Sequence, residues 1–255
     1  MVVTFWPHPR AVLQLDARDF RLLTSLEEKK ALLQSLGVDR VEVIPFTRAF
    51  AAMTAAGYLD LLREKYGATL VVMGYDNRIG SDHKTAAELP GVVVVDEMGI
   101  PVMSSAVETS VSLSSTQIRK ALEEGDVTGA AAMLGRSYSL TGVVVAGNRL
   151  GRTIGFPTAN MQLYEPLKLV PGNGVYAVEV EVLGQKYKGM TNIGTRPTVG
   201  GTTRTIETHI LGFDQDIYGL PLTIRFLRRI RSEVHFPSLD ALRAQLEKDR
   251  TACQG

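Results

Sequence analysis

The chain has 255 residues, 45% of them hydrophobic, and a formal net charge of +1. That is enough for one or two domains with a real core, and it gives no electrostatic support for binding nucleic acid or an acidic partner. A single cysteine, Cys253, excludes a disulfide framework and a cysteine-based metal site. No apolar run approaches a membrane-spanning length, and the start MVVTFWPHPR lacks the pattern of a signal peptide, so a cytoplasmic protein with no membrane partner is expected.

Residues 2–5 read as a short buried strand ended by Pro7 and Pro9. Ser25-x-x-Glu28 has the form of a capping box. It opens a helix with Leu26, Leu32, Leu33 and Leu36 as apolar positions, and Gly37 stops it. A strand over 40–46 and a helix around 58–66, closed by Gly67, come next. TLVVM (69–73) is a continuous apolar strand of the kind buried on both faces. It runs into GYDNRIG (74–80), and a further strand covers 92–95. Ser114-x-x-Gln117 predicts a second capping box, heading a helix over 115–122, before a small-residue helix over 127–134. Strands alternating with helices predict a parallel α/β sheet.

Near Gly135 the pattern changes. Short strands over 139–146, 174–182, 186–192, 205–211 and 222–230 predict a small antiparallel sheet or barrel. A closing amphipathic helix starts from the cap Ser238 and carries Leu239, Leu242 and Leu246. The domain boundary is placed near Gly135, giving domains 1–135 and 136–255.

Four stretches carry candidate chemistry. VVVAGNRLGRTIGFPTAN (143–160) breaks from an apolar strand into a loop with Gly147, Gly151, Gly155, Arg149 and Arg152, ending on Pro157, Thr158, Ala159 and Asn160. Glycines admit a polyanion to backbone N–H groups, arginines neutralise it, and the Thr158 and Asn160 oxygens suit a hard cation. The Gly-Lys-Ser/Thr ending of a Walker A loop is absent, and a plain turn cluster competes with the anion-binding reading. Glu207 shares a strand face with His209, opposite Ile206, Thr208 and Ile210. It is either a solvated carboxylate or a general base, and His209 reads as structural rather than catalytic. RSEVHF (231–236) is either a solvated charge run or a polar and aromatic rim for a flat ring. Gly74 and Asp76 follow a strand, while Ser115, Thr116 and Arg119 open a helix. Either they hold a phosphate or they are ordinary turns.

Taken together, GRTIGFPTAN (151–160), GVYAV (174–178), NIGTRPT (192–198), IETHIL (206–211), IYG (217–219) and RSEVHF (231–236) resemble the bacterial bifunctional riboflavin kinase/FAD synthetase family, in the family's order over nearly all of 137–250. The resemblance implies a six-stranded β-barrel that phosphorylates the ribityl 5′-hydroxyl of riboflavin with ATP, giving FMN. Thr158 and Asn160 would hold Mg²⁺ and the ATP phosphates under the glycine loop of Gly147, Gly151, Arg152 and Gly155. Glu207 would be the general base. Arg231, Glu233 and Phe236 would lie beside the flavin.

VVTFWPHP (2–9), GYDNRIG and LSSTQIR (113–119) resemble the family's Rossmann-like nucleotidyltransferase domain, which transfers AMP from ATP to FMN. Gly74, Asp76, Ser115, Thr116 and Arg119 would then bind nucleotide. Asn77 stands where the family commonly has an aromatic residue. The family's first strand, FDG turn and HxGH motif, which precede TFxPHP, have no counterpart here, and none of the four histidines forms an HxGH. The domain is therefore expected to be incomplete, with little or no FAD synthesis from these residues. The competing accounts are a late start at Met1, a natural reduction to the kinase, and a leading piece supplied by another chain. The first is favoured, because Val2, Val3 and Phe5 are not resurfaced for an exposed edge. A non-catalytic flavin binder is the alternative from another class, disfavoured because a binder needs neither a base nor a metal pair.

Overall fold

The computed structural model describes residues 1–13, 20–74, 77–85, 88–95, 114–147, 150–198 and 201–254. The chain forms two compact units, Met1–Pro101 and Val102–Gly255.

The first unit contains β1 (Val2–Trp6), α1 (Pro9–Leu13), α2 (Leu26–Ser35), β2 (Val41–Pro45), α3 (Arg48–Ala51), α4 (Ala55–Tyr66), β3 (Val71–Gly74), β4 (Arg78–Ile79), β5 (Lys84–Thr85) and β6 (Val92–Val95). The box that opens α2 is formed from both sides. Glu28 N–H donates to Ser25 Oγ at 3.1 Å, and Ser25 N–H donates to Glu28 Oε2 at 2.8 Å. This satisfies two of the N–H groups that a helix start leaves without partners. Leu36, expected on the apolar side, lies beyond the last turn and is exposed. β1 and β2 pair in parallel from Val2↔Val41 to Trp6↔Pro45, and β3 pairs in parallel with β6. Phe5 packs on Phe46 and Phe50 with centroids 5.5 Å apart.

The expected strand buried on both faces is only partly so. Met73 is buried, but Leu70 and Val72 are 60% and 58% exposed. Among the described residues, β3 and β6 form a two-stranded sheet separate from β1–β2. An apolar run needs layers on both sides to be buried on both faces, and a two-stranded pair does not supply them.

The second unit contains α5 (Ser115–Glu124), α6 (Val127–Leu134), β7 (Ser139–Val145), α7 (Leu150–Thr153), β8 (Ala159–Leu163), β9 (Gly174–Val182), β10 (Gln185–Thr198), β11 (Gly201–Ile210), β12 (Pro221–Arg231) and α8 (Leu239–Gln254). The six strands close into a barrel in the order β10-β11-β8-β7-β12-β9, every pairing antiparallel. Leu140, Val180, Ile193, Leu222, Ile224 and Phe226 are fully buried in its core. β9 alternates in burial only from Val178 onward, because Val175 and Ala177 are covered as well. They pack with Phe156, Met190 and Cys253, and Leu246 of α8 lies against this cluster. α8 starts where expected, with Ser238 Oγ accepting from Ala241 N–H at 3.2 Å.

The contacts divide the chain before α5, ahead of the 135/136 boundary expected from sequence. α5 and α6 bury Ile118, Leu122, Val127 and Ala130, and α6 packs on β12. Gly172 N–H donates to the Leu122 carbonyl at 2.8 Å and Arg229 Nη1 to that of Glu124 at 3.3 Å. The expected box at Ser114 is only a cap, its side chain accepting from Thr116 N–H rather than from Gln117 N–H. β8 begins within the stretch read as loop, since Pro157 and Asn160 are turn residues by composition. No helix among the described residues is long and apolar enough to cross a membrane.

The barrel core is expected to set the stability of this unit. Replacing fully buried Ile224 by alanine leaves a cavity between β12 and its neighbours, and should cost about 2–5 kcal/mol, read from urea unfolding of the purified protein.

Candidate active site

Antiparallel register assembles the site. Arg231 of β12 is the partner of Val175 on β9, Val175 of Asn192 on β10, Asn192 of Glu207 on β11, and Glu207 of Asn160 on β8. Direct partners present their side chains on the same face. One row across five strands therefore carries residues far apart in sequence. The barrel interior takes Ile206 and Thr208, so Glu207 faces outward, with its side chain 25% exposed. Register shifts between Phe226 and Arg228 and between Arg229 and Arg231 interrupt the alternation of β12. Such irregularities re-aim side chains, and the second precedes Arg231 directly.

The loop between β7 and β8 folds back over this row. α7 makes one turn, and Phe156 N–H donates to the Gly151 carbonyl at 2.8 Å. A Cβ on Gly151 would collide with the Phe156 carbonyl oxygen, and one on Gly147 with the Asn160 carboxamide. Both glycines are there for close approach. Asn160 thus sits against the start of the loop that Thr158 ends. Residues 148–149, including Arg149, lie outside the described residues.

Two cavities of about 260 Å³ each flank Thr158, which lines both. The first is lined by Glu207, Asn192, His209, Arg231, Glu233 and Phe236, with an apolar wall of Ile154, Phe156, Leu242 and Leu246. The second is lined by Arg152, Thr208, Phe213, Asp214, Asp216 and Tyr218. Gly151 borders the first; Gly155, with φ +84°, turns the loop and lines neither.

The polar groups of the first cavity are held from behind. Arg196 Nη2 lies 3.2 Å from Glu207 Oε1. Asn173 Nδ2 donates to Glu233 Oε2 at 3.1 Å, and Asn173 Oδ1 accepts from Arg204 at 3.2 Å. Arg231 gives Nε and Nη2 to Asp249 of α8, at 3.1 Å to Oδ1 and 3.0 and 2.8 Å to Oδ2, and its guanidinium lies 5.6 Å from the Phe236 ring centroid. Asp249 is 1% exposed and also accepts from Gln245 Nε2 at 2.9 Å. Arg231 therefore lines the cavity, but its charge is engaged by the closing helix. Burial pushes the Cys253 thiol up to about 11, which makes it a packing residue rather than a nucleophile.

Sequence reasoning missed Asn192 as a site residue, along with Arg196, Asn173, Asp249 and the second cavity. Asp249 looks like any helix-surface carboxylate, and only the fold brings it to Arg231, eighteen positions earlier. For Asn192 a signal existed in NIGTRPT.

The other candidate group is less complete. Gly74 ends β3 in the first unit, and Asp76 lies outside the described residues. Ser115, Thr116 and Arg119 form the opening turns of α5 in the second unit. Among the described residues no cluster of three or more His, Cys, Asp or Glu is arranged to hold a metal.

Removing one partner of a buried ion pair strands the other. Asp249→Ala is expected to lose about 3–5 kcal/mol of stability. Asp249→Asn, which keeps an acceptor, should lose less; thermal and urea unfolding measure both.

The riboflavin kinase family model matches residues 134–255, and the FAD synthetase model matches residues 1–117. The bifunctional riboflavin kinase/FMN adenylyltransferase of Escherichia coli (strain K12) is 40% identical over 253 residues, covering 98% of this chain and 80% of its own. That of Bacillus subtilis (strain 168) is 36% identical, covering 98% and 79%. A crystal structure described as a macrolide-efflux protein from Streptococcus pneumoniae superposes with a TM-score of 0.88 at 34% identity, covering 100% of this chain and 83% of its own. With a family model over each half and relatives matched along nearly its whole length, the chain belongs to the bifunctional riboflavin kinase/FMN adenylyltransferase family.

Proposed function

We propose that the barrel unit transfers the γ-phosphoryl group of ATP to the 5′-hydroxyl of riboflavin. The observation that carries this is the position of Thr158 between two cavities, one of them bearing Glu207. The cavity with Arg152, Phe213 and Tyr218 suits the nucleotide. The cavity with apolar Phe156, Leu242 and Leu246 under a rim of Arg231, Glu233 and Phe236 suits a flat, amphipathic isoalloxazine. The transferred group would pass at Thr158, where the two meet.

Each residue has a defined task in this reading. Glu207, oriented by Arg196, takes the proton of the 5′-hydroxyl as that oxygen forms its bond to phosphorus and ADP departs. Gly147, Gly151 and Gly155 shape the loop over the phosphates, and Arg152 neutralises them. Thr158 and Asn160 would supply neutral hard oxygens to Mg²⁺. Phosphate oxygens of the nucleotide and water would complete its shell. When bound, the ion offsets charge on the transferring group. What remains for the protein is positioning and electrostatics, as is general for phosphoryl transfer. A cytoplasmic location, where ATP is available, belongs to the same reading.

For the N-terminal region we keep the nucleotidyltransferase assignment of 1–135, with Gly74, Asp76, Ser115, Thr116 and Arg119 on the nucleotide. The functional division at 135/136 then differs from the packing division, with α5 and α6 belonging to one by sequence and to the other by contact.

Purified protein given riboflavin, ATP and Mg²⁺ is expected to form FMN, and to stop on chelation of the ion. Glu207→Ala should lower turnover by about 10²–10⁴-fold while riboflavin still quenches on binding. Wild-type turnover in that variant would remove Glu207 from the role of base, and flavin binding with no ATP consumption in the unmodified protein would favour a binder.

Supplied instead with FMN and ATP, the same 255 residues are expected to yield little or no FAD, because His8, His83, His209 and His235 do not form an HxGH. Chromatographic detection of robust FAD and pyrophosphate formation would overturn that expectation.

A further inference from the structure

The pairing of β11 with β8 joins Glu207 to Asn160 and Thr208 to Ala159, and the ladder stops there. One residue further it would set His209 opposite Thr158. The His209 ring reaches beyond that point, and its Nδ1 lies 2.8 Å from the carbonyl oxygen of Pro157. A carbonyl oxygen only accepts, so the proton of this bond sits on His209 Nδ1. The Pro157 carbonyl shares a peptide plane with the N–H of Thr158. A bond to it therefore fixes the plane from which Thr158 departs. The ring also packs on Phe156, centroids 5.1 Å apart. Burial holds its pKa below the ordinary 6.5, which favours the neutral ring with one N–H at neutral pH.

We infer that His209 is a positioning residue for phosphoryl transfer. Through the Pro157 carbonyl it holds Thr158 in register with Glu207, at the place where strand pairing has ended. This rests on the kinase reading above. Thr158 is one residue outside the last backbone pair, and displacing a reacting group by about 1 Å costs on the order of 10²-fold in rate.

Two variants separate the hydrogen bond from the packing. His209→Phe keeps a flat ring against Phe156 and removes the donor. His209→Asn restores an N–H near the Nδ1 position on a smaller side chain. His209→Phe is expected to lose about 10- to 100-fold in kcat, with its thermal midpoint close to wild type. His209→Asn should recover most of the turnover. Nitrogen NMR of the ligand-free wild-type protein should show the Nδ1–H tautomer. Wild-type turnover in a folded His209→Phe protein, equal losses in the two variants, or an Nε2–H tautomer would each overturn the assignment. The NMR measurement needs no variant, so it decides the bond even if His209→Phe fails to fold. A wild-type protein that makes no FMN yet shows the Nδ1–H tautomer would sink the kinase reading and leave the tether standing.

Discussion

The antiparallel register of the barrel is the constraint on which the site depends. Arg231, Val175, Asn192, Glu207 and Asn160 are neighbours only because five strands align them in one row. The side-chain period of a strand is two, so a slip of one residue in any pairing would turn its contribution to the other face. Closure protects the register, because a closed barrel has no free edge along which a strand can slide or pair elsewhere. The apolar interior and the outward polar row are therefore two consequences of one alternation. Ile206 and Thr208 hold the strand in place while Glu207 faces the cavity.

The row alone would be an open surface. α8 makes it a cavity by covering Val175, Ala177 and Met190 and by engaging Arg231 through buried Asp249. A buried ion pair contributes little net stability compared with apolar packing, but its geometry is directional. Here three nitrogen-to-oxygen contacts and one from Gln245 define where the guanidinium lies. That guanidinium in turn faces Phe236. Glu233 is held by a parallel device, Asn173 secured by Arg204. The rim is thus preorganised by residues outside it.

Much of the fold was legible locally. The capping box at Ser25, the helix closed at Gly67, the strand over 174–182 and the cap at Ser238 are signals written within a few residues of where they act. Where the reading failed, the deciding partner was distant or the local cue was ambiguous. TLVVM reads as a strand buried on both faces, yet burial depends on what covers it, and Val72 is largely exposed. Residues 159–163 carry turn chemistry at their start and became a strand because β7 and β11 flank them. Nothing local to α5 and α6 marks where they pack: α6 lies on β12, and α5 lies on α6.

The same division holds for the site. The amino-acid sequence by itself determined the reactive types and their local company: a threonine and an asparagine after a glycine loop, a glutamate on a strand, an arginine with a glutamate and a phenylalanine close by. It also determined which face of β11 each residue takes, since that follows from the period of a strand. Only the tertiary structure decided that Glu207 belongs with Asn160 and Asn192, that Arg231 is engaged by Asp249, and that His209 reaches the Pro157 carbonyl. Those partners are set by barrel closure and helix docking, where contacts span tens of residues and carry no periodic mark along the chain.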